Sequence, residues 1–375
     1  MNRGLEVSIA TTDADLDQRL KVTLDTSLVY KGVPTIFFAK QWSNAFYYSR
    51  PFSRWINSQV SDYDLVHIHA VFSHASIAAA RACRSQNVPY VIRPLGTLDP
   101  WSMKQKPFRK KLFWKCGVKS LVRSASAIHY TSENECLSVE QSLKLGKGAV
   151  IPLGVEIEAD FLHDSPNAFR RTAASLGNAP YIILLSRLHP KKGVDILLRA
   201  FLDLTLEPQF AKWKLVVAGE GDEAYLKQLN QLISERDGQD RVIFPGWLQG
   251  QMKFSALQGA AALVLPSHHE NFGVCVAEAM ACGIPVVISE NVNLAPAVQA
   301  AKAGWVTTME PSSLRAALAD ALSHEEDRKR RGEAARILAT KYTWTEVAGE
   351  LESLYKRVLE VGVTVSRPYA EACSA

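Results

Sequence analysis

YIILLSRLHPKKGVDILLRAF, residues 181–201, opens with five apolar residues, turns through Arg187, Pro190, Lys191, Lys192 and Gly193, and continues in a helical pattern. A short apolar run without alternation reads as a strand buried on both faces, and a helix directly after it is how a parallel sheet is wound. The same cadence recurs along the chain. Downstream, strands are expected at Lys214–Ala218, Arg241–Phe244, Ala262–Pro266, Pro285–Ser289 and Gly304–Thr307. Helices are expected near Val194–Leu204, Glu223–Arg236, Met252–Gly259, Gly273–Cys282 and Leu294–Ala300. Upstream, strands are expected at Glu6–Thr11, Thr35–Ala39, Leu65–Ala70, Tyr90–Pro94 and Ala127–Thr131, with a helix over Ser73–Gln86. Two such blocks predict an α/β protein of two doubly wound, Rossmann-like domains joined near Ile151–Ser165. In sheets of this kind ligands bind at the carboxyl ends of the strands, and two domains facing one another put the expected site in a central cleft.

Composition agrees. The chain has 375 residues, 47% hydrophobic and 22% charged, which excludes a disordered, collagen-like or coiled-coil protein. No apolar run approaches the ~20 residues needed to cross a bilayer, and in MNRGLEVSIATTD the acidic Asp13 precedes any long apolar core, so no leader peptide is expected. A cytoplasmic protein follows. None of the six cysteines forms a C-x-x-C pair, which argues for free thiols rather than zinc or redox chemistry. Charge is uneven. Residues 1–155 hold 20 Lys and Arg against 11 Asp and Glu, whereas the rest of the chain carries a net negative charge. The first half is therefore expected to face something anionic: a membrane surface, a phosphate-bearing acceptor or nucleic acid.

Residues that follow strands carry the candidate chemistry. Arg187, Lys191 and Lys192 sit with Gly193 at a strand-to-helix turn, where helix-start N–H groups add positive potential, a combination suited to a pyrophosphate or to a merely solvated loop. Gly219-Glu-Gly221-Asp222 allows a tight turn or a close approach of backbone to ligand. It is not a dinucleotide fingerprint, because Ala224 stands where the third glycine belongs, and this disfavours a nicotinamide dehydrogenase. Ser267-His-His-Glu270-Asn271-Phe272-Gly273 precedes a helix carrying Glu278. The two acids lie eight positions apart, at most about 12 Å along a helix, which suits the two ends of a nucleotide sugar: one carboxylate for a ribose diol, the other for a hexose. Ordinary helix-start acids would look the same.

SRLHPKKGVDILLRAF, LVVAGEGDEAYLKQL, VIFPGW and PSHHENFGVCVAEAMACGIPVV, taken in order, resemble the nucleotide-binding half of the GT-B glycosyltransferases, specifically family 4 (group 1), whose members retain anomeric configuration. The last segment matches that family's E-x7-E motif. IPLGVE at 151–156 resembles its hinge, and YTWTEVAGELESLYKRVL at 342–359 its final helix, which crosses back onto the first domain. The resemblance implies a GT-B fold with an acceptor-binding domain over 1–158, completed by a C-terminal helix over 345–375, and a nucleotide-sugar-binding domain over 159–344. It implies that Arg187 and Lys192 neutralise the leaving diphosphate and that Glu270, with Asn271, Phe272 and Gly273, holds the donor sugar and its phosphate. Glu278 would take the ribose, Gly246 and Trp247 would lie against the base, and Gly221 would line the donor site. The implied reaction moves a hexosyl group from a nucleotide diphosphate sugar, UDP-glucose first, to a hydroxyl of a saccharide or lipid-linked acceptor in bacterial cell-surface polysaccharide synthesis. It uses no protein nucleophile and no essential metal or cofactor. Rival readings are a non-catalytic nucleotide-sugar-binding partner subunit and a GT-B sugar epimerase.

The first half offers His69, Phe72 and Arg93 as acceptor-side candidates, each just after or at the end of an expected strand. Two departures from the family pattern stand out. Leu95 occupies the place of a histidine usual before the loop glycine, and the strand, glycine turn and helix that usually precede the segment resembling Arg3–Thr11 are not in this sequence, so either a misplaced start or a shortened N-terminal domain is expected. Met103–Arg123 holds eight Lys and Arg (104, 106, 109, 110, 111, 115, 119 and 123) with Phe108, Phe113 and Trp114 interleaved and no acid, a pattern that fits peripheral contact with an anionic membrane face as well as a solvated helix whose aromatics pack inward. Asp13-Ala-Asp15-Leu-Asp17 and Asp62-Tyr-Asp64 superficially match a D-x-D metal motif and are expected to be surface turns. Nucleic acid is not an expected partner.

Overall fold

A computed structural model describes residues 3–15, 18–42, 46–105, 107–146, 148–155 and 167–360. The chain separates into two compact units. One runs to Ile151 and resumes at Leu351, and the other spans Pro152–Glu350. Most of the expected join, from Glu156 to Ser165, lies outside the described residues, as do Lys106, Asp17 and Cys373.

The second unit contains β10 (Tyr181–Leu185), β11 (Lys214–Ala218), β12 (Val242–Gly246), β13 (Leu263–Leu265), β14 (Val286–Ser289) and β15 (Gly304–Thr307). They form one parallel sheet in the order β12-β11-β10-β13-β14-β15. Side chains alternate between two cores. Tyr181, Ile183, Val216, Leu263 and Val286 face the layer containing the helix Val274–Ala281, whereas Ile182, Leu184, Leu215, Val217 and Val287 face the layer containing the helix Val194–Leu204. That two-sided burial is why these strands are apolar throughout rather than alternating. Strand order reverses between β10 and β13, and this is the position at which an open α/β sheet leaves a crevice beyond its carboxyl ends.

The first unit departs further from expectation. β1 (Ile9–Thr12) is shorter than the expected Glu6–Thr11: Leu5, Val7 and Ile9 are exposed, and pairing starts only at Ile9. β2 (Ala14–Asp15) and β3 (Gln18–Arg19) make a small antiparallel pair. β4 (Ser27–Tyr30), unexpected from the sequence, pairs antiparallel with β5 (Val33–Phe38) through Lys31 and Gly32, both at positive φ as a two-residue hairpin turn requires. β6 (Val66–His69), β7 (Tyr90–Arg93), β8 (Ala127–Tyr130) and β9 (Ala149–Val150) form a parallel sheet in chain order.

Asp13 corrects a reading from sequence. It is buried rather than in a surface turn, and its carboxylate accepts the Lys40 N–H at 2.6 Å with Arg19 3.9 Å away. Asp15, Asp62 and Asp64 are exposed. The basic stretch is not one helix. It breaks into Pro100–Lys104, Pro107–Phe113, a wide turn over Trp114–Val118 kinked at Cys116 and Gly117, and Lys119–Arg123. Only part of its aromatic content packs inward: Trp114 is buried and Phe113 stacks on Phe46 at 5.3 Å, but Phe108 is 89% exposed. No helix among the described residues is long and apolar enough to cross a membrane, and the cysteines described (83, 116, 136, 275 and 282) form no disulfide with one another.

Candidate functional site

In the second unit the loops after β10 and β13, neighbours at the strand-order reversal, are laced together. His189 caps the short turn Pro190–Lys192 by accepting the Lys191 N–H at 3.1 Å. The Lys191 carbonyl then accepts the His268 N–H at 2.8 Å. Gly193, at φ 66°, lies so close to the other loop that a Cβ would stand 2.1 Å from the Pro266 oxygen. This contact explains why a glycine is needed there. The lacing brings Lys192 Nζ into an ion pair with Glu270 Oε2, both side chains largely sheltered. Glu270 is itself fixed by backbone bonds to the loop after β14: its N–H donates to Asn291 O at 3.1 Å, and its carbonyl accepts from Asn293 N at 3.0 Å.

The helix Val274–Ala281 starts at Gly273, φ 84°, and carries Glu278 in its second turn. Glu278 Oε1 pairs with Lys253 Nζ at 2.6 Å, a cation from the helix Gly250–Gln258. Nothing in local spacing marks Lys253, which is 25 positions from its partner. Between the two ion pairs sits Cys275. Burial first, then the Glu270 carboxylate, push its thiol up to about 12 and keep it protonated. The result is a strip of two acid–lysine pairs in which each carboxylate already has a donor and each lysine a counter-charge. Arg187, after β10, is exposed and forms no ion pair among the described residues.

The remaining donor-side candidates divide. Trp247 is 53% exposed next to Gly246, the end of β12, and open space surrounds that glycine. Asn271 and Gly273 lie on the loop itself. The Phe272 side chain, however, is in the core, edge-on to Tyr342 at 5.5 Å, so only its backbone can meet a ligand. Gly221 packs against protein: Leu188 N donates to Glu220 O at 2.7 Å, and a Cβ on Gly221 would stand 2.2 Å from Leu188 O. Its close backbone approach is to the loop after β10.

In the first unit, His69 and Arg93 end the neighbouring strands β6 and β7. Phe72 is half-buried, with the Lys110 ammonium 5.5 Å from its ring centre. Sequence reading missed the chain of groups behind His69. His129 Nε2 lies 2.8 Å from Ile151 O, which can only accept, so Nε2 carries the proton. His129 Nδ1 is then an acceptor for His67 Nε2–H at 3.3 Å, and His67 Nδ1 accepts the Tyr355 hydroxyl at 2.7 Å. Burial, reinforced by neighbouring histidines and Arg93, lowers His67 to about 2, and burial with the Arg93 charge lowers His129 to about 4, so both rings are neutral at pH 7.

Comparison with known proteins decides what this arrangement belongs to. Residues 167–338 match the family model for glycosyl transferases group 1, and residues 1–154 match the glycosyl transferase 4-like domain. The chain belongs to the group 1 glycosyltransferases. An uncharacterised glycosyltransferase of Methanocaldococcus jannaschii is 28% identical over 80% of this chain and 77% of its own length. The D-inositol 3-phosphate glycosyltransferase of Corynebacterium jeikeium is 30% identical over 57% of this chain, which spans about half (52%) of that relative. Anabaena HepE, solved with UDP and glucose, superposes with TM-score 0.69 at 19% identity, covering 88% of this chain and 87% of its own, and fixes the fold as GT-B.

Proposed function

We propose that this group 1 glycosyltransferase moves a hexosyl group from a nucleotide diphosphate sugar, UDP-glucose first, to a hydroxyl of a saccharide or lipid-linked acceptor in cell-surface polysaccharide synthesis, with retention of configuration. The observation that carries the reading is the cation set Arg187 and Lys192 at the strand-order reversal, with Glu270 held against Lys192. Cleavage of the glycosyl bond builds positive charge on the sugar ring and negative charge on the departing diphosphate. Cations fixed in place before the reaction stabilise that anion without reorganisation. Glu270 keeps its second oxygen for a sugar hydroxyl, and Glu278, fixed by Lys253, presents acceptor oxygens suited to a ribose diol. Trp247 offers an exposed aromatic face to a base. The solved relative's UDP and glucose support this donor class. Same-face attack, with the leaving phosphate taking the acceptor proton, requires no protein nucleophile, and no metal or cofactor is assigned. The test is transfer from a panel of nucleotide sugars by the full chain, with the anomeric configuration of the product read by NMR. Turnover without acceptor to an altered sugar would instead mark an epimerase, and binding without turnover a non-catalytic subunit.

The reading includes peripheral contact with the inner face of a cell membrane. Phe108 and the 63% exposed Leu112 lie four positions apart on Pro107–Phe113, flanked by Lys104, Arg109, Lys111 and Lys115, and no acid occurs from residue 100 to residue 132. Exposed apolar side chains ringed by cations suit anionic lipid. Vesicles containing phosphatidylglycerol should sediment the chain, those of phosphatidylcholine should not, and Phe108→Asp should abolish the difference.

A further inference from the structure

Arg93 is unusual in its surroundings. The residue is only 9% exposed, its Nε is sealed from solvent without a hydrogen-bond partner, and it forms no ion pair among the described residues. A buried cation without a counter-charge is costly. The acid whose charge acts on it, Glu135, forms no ion pair with it and is turned to other donors. Glu135, on the helix Glu133–Leu143 capped by Ser132, accepts from Gly96 N at 2.6 Å, Thr131 N at 2.7 Å and Thr131 Oγ1 at 2.8 Å. The other close groups, His67, His129 and Tyr355, are bonded to one another, and the two rings are neutral. His69, its ring 4.7 Å from that of His67, keeps an exposed edge.

The backbone around this guanidinium is also specialised. Ala70, directly after β6, and Leu95, two residues after β7, have φ of 64° and 54°, in the left-handed region that non-glycine residues rarely adopt. Both positions are held by bonds next to the strand ends: Ala70 N donates to Arg93 O at 2.9 Å, and the Gly96 N–H is held by Glu135. Strained turns of this kind persist where surrounding structure over-determines them, and they cluster at ligand sites.

We propose that the carboxyl ends of β6 and β7 form a binding site for an anionic substituent of the acceptor, a phosphate or a carboxylate, with Arg93 as its counter-charge and His69 at its rim. The site rests on the reading of this unit as the acceptor side. Neutral histidines suit it because they supply hydrogen-bonding nitrogens without competing with Arg93 as cations. A planar guanidinium can meet either oxyanion with paired N–H bonds, so the two anions share one recognition chemistry.

The experiment is calorimetric titration of the full chain, saturated with UDP so that the donor loops are filled, with glucose 6-phosphate, glucuronate and glucose. Wild type should bind at least one charged sugar more tightly than glucose, and whichever of the two binds better names the anion. Arg93→Gln should weaken that charged sugar by at least about thirtyfold and leave glucose unchanged, while Arg93→Lys recovers part of the loss. Equal binding of charged and neutral sugars by wild type, or an Arg93→Gln variant that lowers both alike, overturns the proposal. Unchanged glucose binding and an unchanged melting temperature report that the first unit of the variant is folded, and UDP affinity, measured first on both proteins, reports the second. If UDP fails to bind wild type, the donor assignment fails on its own, and the sugar titrations still decide the role of Arg93.

Discussion

The two units handle charge in opposite ways. At the ends of β10 and β13, Glu270 and Glu278 each keep a lysine partner, and Arg187, after β10, forms no ion pair among the described residues: charge is met there by pairing. At the ends of β6 and β7, ionisation is suppressed. Burial holds His67 and His129 neutral, Glu135 is driven up by burial though partly offset by its backbone donors, and Arg93 alone keeps its charge without a partner. A polyanionic leaving group needs several fixed charges, whereas one anionic substituent needs one charge in a quiet background. That contrast can be broken at either end.

The largest effect is expected in the second unit. Arg187→Ala and Lys192→Ala should each lower kcat/KM for transfer by about 10²–10³, because each removes a preorganised charge from the developing anion. Steady-state kinetics check this, and the melting temperature should hardly move for the exposed Arg187. In the first unit the expected losses are of stability. Glu135→Ala strands three buried donors and should cost about 3 kcal/mol or more in urea unfolding, with a smaller loss for Glu135→Gln.

Acid should act on the first unit. His129 has a folded pKa of about 4 against 6.5 for the free side chain, so the unfolded chain binds the proton first. Its contribution is present above pH 6.5 and is lost as the pH falls toward 4, about 2–3 kcal/mol by pH 4.5. Unfolding free energies at pH 7 and 4.5 measure the slope, to which His67 contributes in the same sense, and His129→Phe should make it shallower. The smallest effect is expected from Tyr355→Phe, which removes one donor to His67 and should cost about 1 kcal/mol with donor affinity unchanged.

How much was legible follows the same division. β10, its basic turn and the Glu270–Glu278 spacing could be read because each lies within one strand–turn–helix step, where periodicity and glycine placement act locally. Lys253 could not, since its partner is on another helix. Nor could the His67–Tyr355 bond, which joins residues 288 positions apart. Asp13 looked like half of a surface turn because its neighbours are polar, yet it is buried as an acceptor for the Lys40 amide. β4 escaped because SLVY is short, although the two-residue Lys31-Gly32 link between apolar runs was a usable hairpin signal. Leu95 was read as a missing contact, whereas its left-handed backbone is visible only in three dimensions.

The claim that the β10 and β13 loops clasp a nucleotide diphosphate is met most directly by titrating UDP, GDP and ADP into the full chain and into its Arg187→Ala and Lys192→Ala variants. The account predicts saturable binding of at least one of them, weakened about tenfold or more by each substitution. Three silent titrations, or variants that bind as wild type does, would contradict it.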